Sequence, residues 1–164
     1  MFIAGILFIT IGISVLSFFG IRKLVRYVNL QKLLNENIVV EIPDINIKAP
    51  VIEEIDQEVL RIAVGHFPDT GEVGKGNFCI AGHSSVIYKE FFNDLKNVQN
   101  GLEIRLYDKA KRCYRYAVED SFIVEPNEVW ILQDFGDDRI TIVTCTDDGS
   151  QRLVVIGKLK EYLM

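Results

Sequence analysis

The sequence predicts a mainly β domain, built as a closed or nearly closed barrel of seven or eight strands with short helices, and preceded by an N-terminal membrane helix. Three observations lead there. Short apolar runs of strand length recur through residues 37–164, with turn residues between them. No alternation of strands with long helices is sustained, so a parallel sheet wrapped in helices is not expected. Ahead of these runs, residues 2–21 (FIAGILFITIGISVLSFFGI) carry no charge.

A helix of that uncharged length spans about 30 Å, the thickness of a bilayer core. No basic segment precedes it and no small-residue cleavage pattern follows, so an anchor (residues 1–21) is expected rather than a removed signal peptide. Arg22, Lys23 and Arg26 come next. Residues 22–36 read as a helical linker, with Leu24, Val25, Val28 and Leu33 as an apolar stripe that ends at Asn35, Glu36 and Asn37. Residues 37–164 form the domain.

Within the domain, residues 38–42 (IVVEI) read as a strand ended by Pro43, and residues 45–51 as a second. Residues 57–64 suit a short helix. Residues 69–77 (DTGEVGKGN) hold three glycines and read as a loop. Residues 78–81 form a strand, and residues 88–95 (YKEFFNDL) a short helix that packs Phe91, Phe92 and Leu95. Residues 102–107 and 113–124 alternate as strands do. A long loop over 125–139 carries Trp130, and strands over 140–144 and 152–159 close the chain.

Hydrophobic residues make up 49% of the chain and aromatic residues 10%, which excludes a disordered protein. Residues 1–36 carry four Lys/Arg and one Glu, a net of +3; the chain is −5, which leaves −8 on residues 37–164. So acidic a domain is not a nucleic-acid binder. The three cysteines, Cys79, Cys113 and Cys145, cannot all pair within one chain, which leaves at least one free thiol.

The chemistry concentrates where strands end. Cys145 closes the run ITIVTC and faces a tight polar loop. A thiol there is fixed in direction and reachable, and its thiolate is an acyl-transfer nucleophile when a cation lowers its pKa. Arg152 opens the next strand; its planar, permanently charged fork suits a tetrahedral oxyanion or substrate carbonyls. The plainer reading of Arg152 is a surface arginine paired with Asp147 or Asp148. His83 ends FCIAGH and is placed like Cys145, as a general acid and base. His66, its only competitor, follows a predicted helix instead. No Asp or Asn is evident to orient His83, so a papain-like triad is not expected.

Together these segments resemble the sortases, membrane-anchored cysteine transpeptidases of Gram-positive bacteria. The family's Thr-Leu-x-Thr-Cys signature, followed by an arginine that opens the last strand, stands here as Thr141-Ile142-Val143-Thr144-Cys145, then Arg152-Leu153-Val154-Val155. The family's histidine motif stands as Gly76-Asn77-Phe78-Cys79-Ile80-Ala81-Gly82-His83. Two departures are Ile142 in place of Leu and Ser84 where many relatives carry arginine. The resemblance covers about residues 40–164 and is closest to classes D and E, given the segment VEPNEVWIL before the nucleophile strand.

The resemblance implies an eight-stranded sortase-type barrel and a catalytic set of Cys145, His83 and Arg152. Cys145 would cleave a Leu-Pro-x-Thr-Gly-like sorting signal between Thr and Gly through a thioester, which a cell-wall amine then resolves. The implied partners are secreted proteins bearing that signal, a cell-wall precursor amine and the membrane. Trp130, Ile131, Leu132 and Thr144 would contact substrate, although core packing is the plainer reading of the first three. No cofactor is required; calcium, as some sortases use, would draw on Asp69, Glu72, Asp134, Asp137 and Asp138, which otherwise read as a solvated face. The implied location is a single-pass membrane protein with its domain outside the cell. The basic residues after the span favour the opposite orientation by the positive-inside rule, and the catalytic motif is given more weight. Two other functions fit the residues less well: a cysteine hydrolase on the same framework, and a metal or redox site using His66, Cys79, His83 and Cys113.

Overall fold

The computed structural model describes residues 2–85 and 90–163, with side chains over 11–85 and 90–161. The chain divides into two compact units, Met1–Asn35 and Glu36–Met164. The first is a single helix, α1 (Phe2–Glu36), so the expected anchor and linker are one continuous element. Ile11, Leu16, Phe18, Phe19 and Ile21 on this helix are all exposed. Among the described residues no helix is long and apolar enough to cross a membrane; the side chains of residues 1–10, half of the apolar run, lie outside them.

The second unit holds eight strands among the described residues. They are β1 (Ile38–Ile42), β2 (Ile47–Glu53), β3 (Val64–His66), β4 (Asn77–Ala81), β5 (Glu103–Tyr107), β6 (Cys113–Val124), β7 (Arg139–Cys145) and β8 (Arg152–Leu163). They close a barrel in the order β1-β2-β3-β4-β7-β8-β6-β5. Two neighbouring pairs are parallel, β2–β3 and β4–β7, and the rest antiparallel. Closure leaves no exposed edge.

Sequence and structure part in three places. The helix expected over 57–64 is a single turn, α2 (Gln57–Leu60), capped by the Asp56 carboxylate on Val59 N–H at 2.8 Å. Val64 belongs instead to β3, whose three residues are all buried. Of the helix expected over 88–95, residues 88 and 89 lie outside the described residues; the remainder is turns leading into a 3-10 segment, Leu95–Asn97. Phe92 and Leu95 are nevertheless buried, as the pattern predicted.

The barrel interior is filled by side chains of alternate strand positions, among them Val40, Ile42, Phe78, Ile80, Ile104, Leu106, Ile140, Ile142 and Val155. A second apolar cluster lies on the outer face of β7 and β8, where Val143, Val154 and Ile156 pack with Ile131. Phe67, Ala81, Phe122, Val124 and Leu132 pack against it. This outer cluster exists because the loop over 125–138 folds back onto the sheet, and it positions the site.

Candidate active site

Strand register fixes which side chains share a face. Ile140 and Ile142 point into the barrel, so Val143 and Cys145 point outward with the second cluster. On β8, Val154 and Ile156 point outward, and Arg152 has the same parity. Cys145 and Arg152 are direct partners in the β7–β8 ladder. On β4, Ala81 lies beside Val143 and packs in the outer cluster. His83 lies two residues on, past the end of β4. Cys145, His83 and Arg152 therefore sit on three neighbouring chain segments at one end of the barrel.

The His83 turn is bound to β7 beyond the last formal strand pair. Gly82 N–H donates to the Val143 carbonyl at 3.1 Å. The Thr144 hydroxyl donates to the Gly82 carbonyl at 2.8 Å. The Ser84 hydroxyl donates to the Cys145 carbonyl at 2.7 Å. From the other side, Phe92 N–H donates to the His83 carbonyl at 3.2 Å. A Cβ on Gly82 would lie 2.7 Å from the Phe92 ring, so only glycine lets the turn lie this close.

The surface ion pair suggested for Arg152 is absent among the described residues. Asp147 pairs with Lys96 at 2.8 Å. Asp148 is held by the Thr146 hydroxyl at 2.6 Å and the Ser150 hydroxyl at 2.8 Å. Those bonds, the Thr146 one foremost, hold the Asp148 pKa down to about 2. Arg152 Nη1 donates to the carbonyls of Gln151 at 3.0 Å and Gly149 at 3.3 Å. Its Nε–H and Nη2 groups have no partner among the described residues, and neither has the His83 imidazole.

The residues expected to contact substrate are placed unequally. Ile131 is buried in the outer cluster and Leu132 packs against it. Trp130 stacks on Phe122, ring centroids 5.8 Å apart, and edges against Phe135. These aromatics border a depression of about 170 Å³ that also reaches Arg139 and Ile156. It lies at the Arg139 end of β7, roughly 20 Å along the strand from Cys145. Thr144 differs from expectation: its side chain is buried, has the inward parity and is committed to the Gly82 carbonyl.

Asn77 organises this wall, a role the sequence reading missed. Its amide donates to the carbonyls of Ile131 and Gln133, both at 2.9 Å. Its carbonyl accepts from the Thr141 hydroxyl at 2.6 Å. A polar residue on each of two neighbouring apolar strands, Asn77 and Thr141, was the available signal, because such residues are buried only when satisfied.

The remaining candidates are structural or scattered. His66 is buried in β3 and stacks on Phe78, with its ring nitrogens facing Glu53 at 2.9 Å and the Gly71 carbonyl at 3.1 Å. Burial pushes the Cys79 thiol up to about 12, which makes it inert. Among the described residues no group of three or more His, Cys, Asp or Glu is gathered to hold a metal. Of the carboxylates considered for calcium, Asp137 pairs with Arg139, Asp138 accepts from Gly76 N–H and Asp134 accepts from Gly136 N–H.

Comparison with known proteins bears on the family and the fold. Residues 40–160 match the sortase domain family model. Sortase A of Bacillus anthracis is 32% identical over 122 residues, covering 73% of this chain and 58% of the relative. The chain spans about half the length of the curated relatives it matches, 52% for Sortase A of Streptococcus agalactiae. A Clostridium perfringens sortase D5 transpeptidase superimposes with a TM-score of 0.69 at 29% identity, covering 81% of this chain and 88% of that one. Sortase C-1 of Actinomyces oris gives 0.71 at 27% identity, with 76% and 73% covered.

Proposed function

The chain belongs to the sortase family, and from that premise we propose that it is a cysteine transpeptidase acting on a Leu-Pro-x-Thr-Gly-like sorting signal. The observation that supports the proposal is the pairing of Cys145 and Arg152 across two strands, with the His83 turn tied to the same strand end through Ser84 and Thr144. The Cys145 thiolate attacks the carbonyl between Thr and Gly. The free N–H groups of Arg152 stabilise the oxyanion. His83 gives its proton to the departing glycine nitrogen, and the C–N bond breaks to leave a thioester. An incoming amine loses a proton to His83 and displaces the sulfur, which restores the enzyme.

In this reading the amine is a cell-wall precursor, and the targets are secreted proteins bearing the signal. Ile131, Leu132 and the outer face of β7 form the apolar side of the groove for the Leu-Pro side chains. The uncharged run over residues 2–21 supports a single-pass anchor with the catalytic unit outside the cell. The segment VEPNEVWIL and the likeness to a sortase titled D5 support a class D or E assignment. No metal enters this chemistry.

The test incubates the full chain with a Leu-Pro-x-Thr-Gly peptide, with and without an added amine, and follows masses. A Cys145-linked thioester and an amine-containing product are expected. Product formed only with water would identify a hydrolase. Cleavage by Cys145→Ala at the normal rate would end the proposal.

A further inference from the structure

We propose that Ser84 is a positioning residue that sets the separation between His83 and Cys145; this rests on the transpeptidase reading. Its observation is a pair of crossed bonds. The hydroxyl of residue 144, just before the cysteine, donates to the carbonyl of residue 82, just before the histidine. The hydroxyl of residue 84, just after the histidine, donates to the carbonyl of the cysteine itself. One hydroxyl from each segment thus binds a carbonyl of the other, and the two bonds bracket the reacting pair.

The β4–β7 ladder ends at Ala81 and Val143, before either reacting residue. Beyond it, the Gly82 amide and these two side chains carry the connection. The Thr144 bond is buried and holds the base of the turn. The Ser84 bond, at 2.7 Å, lies beyond His83, where the chain otherwise diverges from β7. Ser85 N–H donates to the Asn93 side chain at 2.8 Å, so the turn is also fixed toward the 90–95 segment. Without the Ser84 hydroxyl the His83 turn is tied to β7 on one side only.

The consequence is electrostatic. Proton exchange between sulfur and imidazole depends on how far apart the two groups are held. A looser pair couples less. The charged groups on the flanking loops, Arg152, Lys96, Asp147 and Asp148, are the same in the variants and do not produce this change.

The test follows alkylation of Cys145 by iodoacetamide against pH in the full chain, read at the Cys145 peptide by mass, for wild type, Ser84→Ala and Ser84→Thr. Ser84→Ala is expected to shift the pH profile of Cys145 alkylation, and Ser84→Thr, which keeps the hydroxyl, to restore it. In peptide turnover Ser84→Ala should lose about three- to tenfold in kcat with little change in KM. A Ser84→Ala alkylation profile that matches wild type, with the melting temperature unchanged, overturns the proposal. So does failure of Ser84→Thr to restore the profile while folded. Alkylation needs no turnover, so an inactive wild type would count against the transpeptidase reading and leave this result decisive for Ser84.

Discussion

Cys145 and Arg152 are opposite partners in the antiparallel ladder of β7 and β8, at the end where the two strands part into a polar loop. Side chains so paired share a face and lie within reach of each other. The guanidinium is anchored at one nitrogen by the loop's own carbonyls, which leaves its other donors aimed by a rigid base. Arg152→Ala should therefore lower kcat by about 10²–10³-fold with a smaller change in KM. Arg152→Lys, which keeps the charge but loses the planar fork, should recover only a small part of that rate. Steady-state kinetics on a sorting-signal peptide check both.

Cys79 and Cys145 should differ sharply as nucleophiles. Cys79 is fully buried, its sulfur faces the Asn77 carbonyl at 3.4 Å, and burial raises its pKa to about 12. Peptide mapping after brief iodoacetamide treatment near neutral pH should find label on Cys145 and none on Cys79. Cys79 should label only after unfolding.

Gly82→Ala should damage both stability and rate. The added methyl would meet the Phe92 ring at 2.7 and 2.9 Å and Val64 at 3.2 Å. Overpacking of this kind costs about 1–3 kcal/mol. Relief requires the turn to move, and His83 moves with it. A reduced urea midpoint together with a reduced kcat is the expected outcome.

Asp137 should contribute stability that acid removes. Hydrogen bonds from Arg139 hold its pKa below the ordinary carboxylate value, and Lys158 adds to the effect. A group with a depressed folded pKa contributes fully above its unfolded value of about 3.9 and loses that contribution as pH falls through the folded value. The melting-temperature gap between wild type and Asp137→Asn should be constant above about pH 5 and shrink toward pH 2.

Much of this was legible in the sequence because it rested on alternation. β1 and β6 were read to the residue, and β5 and β7 to within one residue at each end, because period-two burial marks a strand wherever one face is packed. β3 was missed because three residues, Val64–His66, are too few to show a period, and all three are buried. The same error put His66 after a helix rather than beneath Phe78. Cys145, His83 and Arg152 were singled out because strand ends concentrate chemistry. The Ser84 bond and the Asn77 amide bonds escaped, since they end on backbone carbonyls that no residue pattern encodes. Thr144 was read as facing substrate, yet strand parity alone turns it inward with Ile140 and Ile142.

The position of β8 has a consequence for how the molecule forms. It lies between β6 and β7, so the cylinder cannot assemble strand by strand as the chain emerges. The guanidinium stands at the head of that last-inserted strand. A partly made chain holds the sulfur and the imidazole yet lacks the third group, and slow, long-range closure is what arms it. In the proposed mechanism the thiol therefore lacks its oxyanion partner until the whole cylinder is shut.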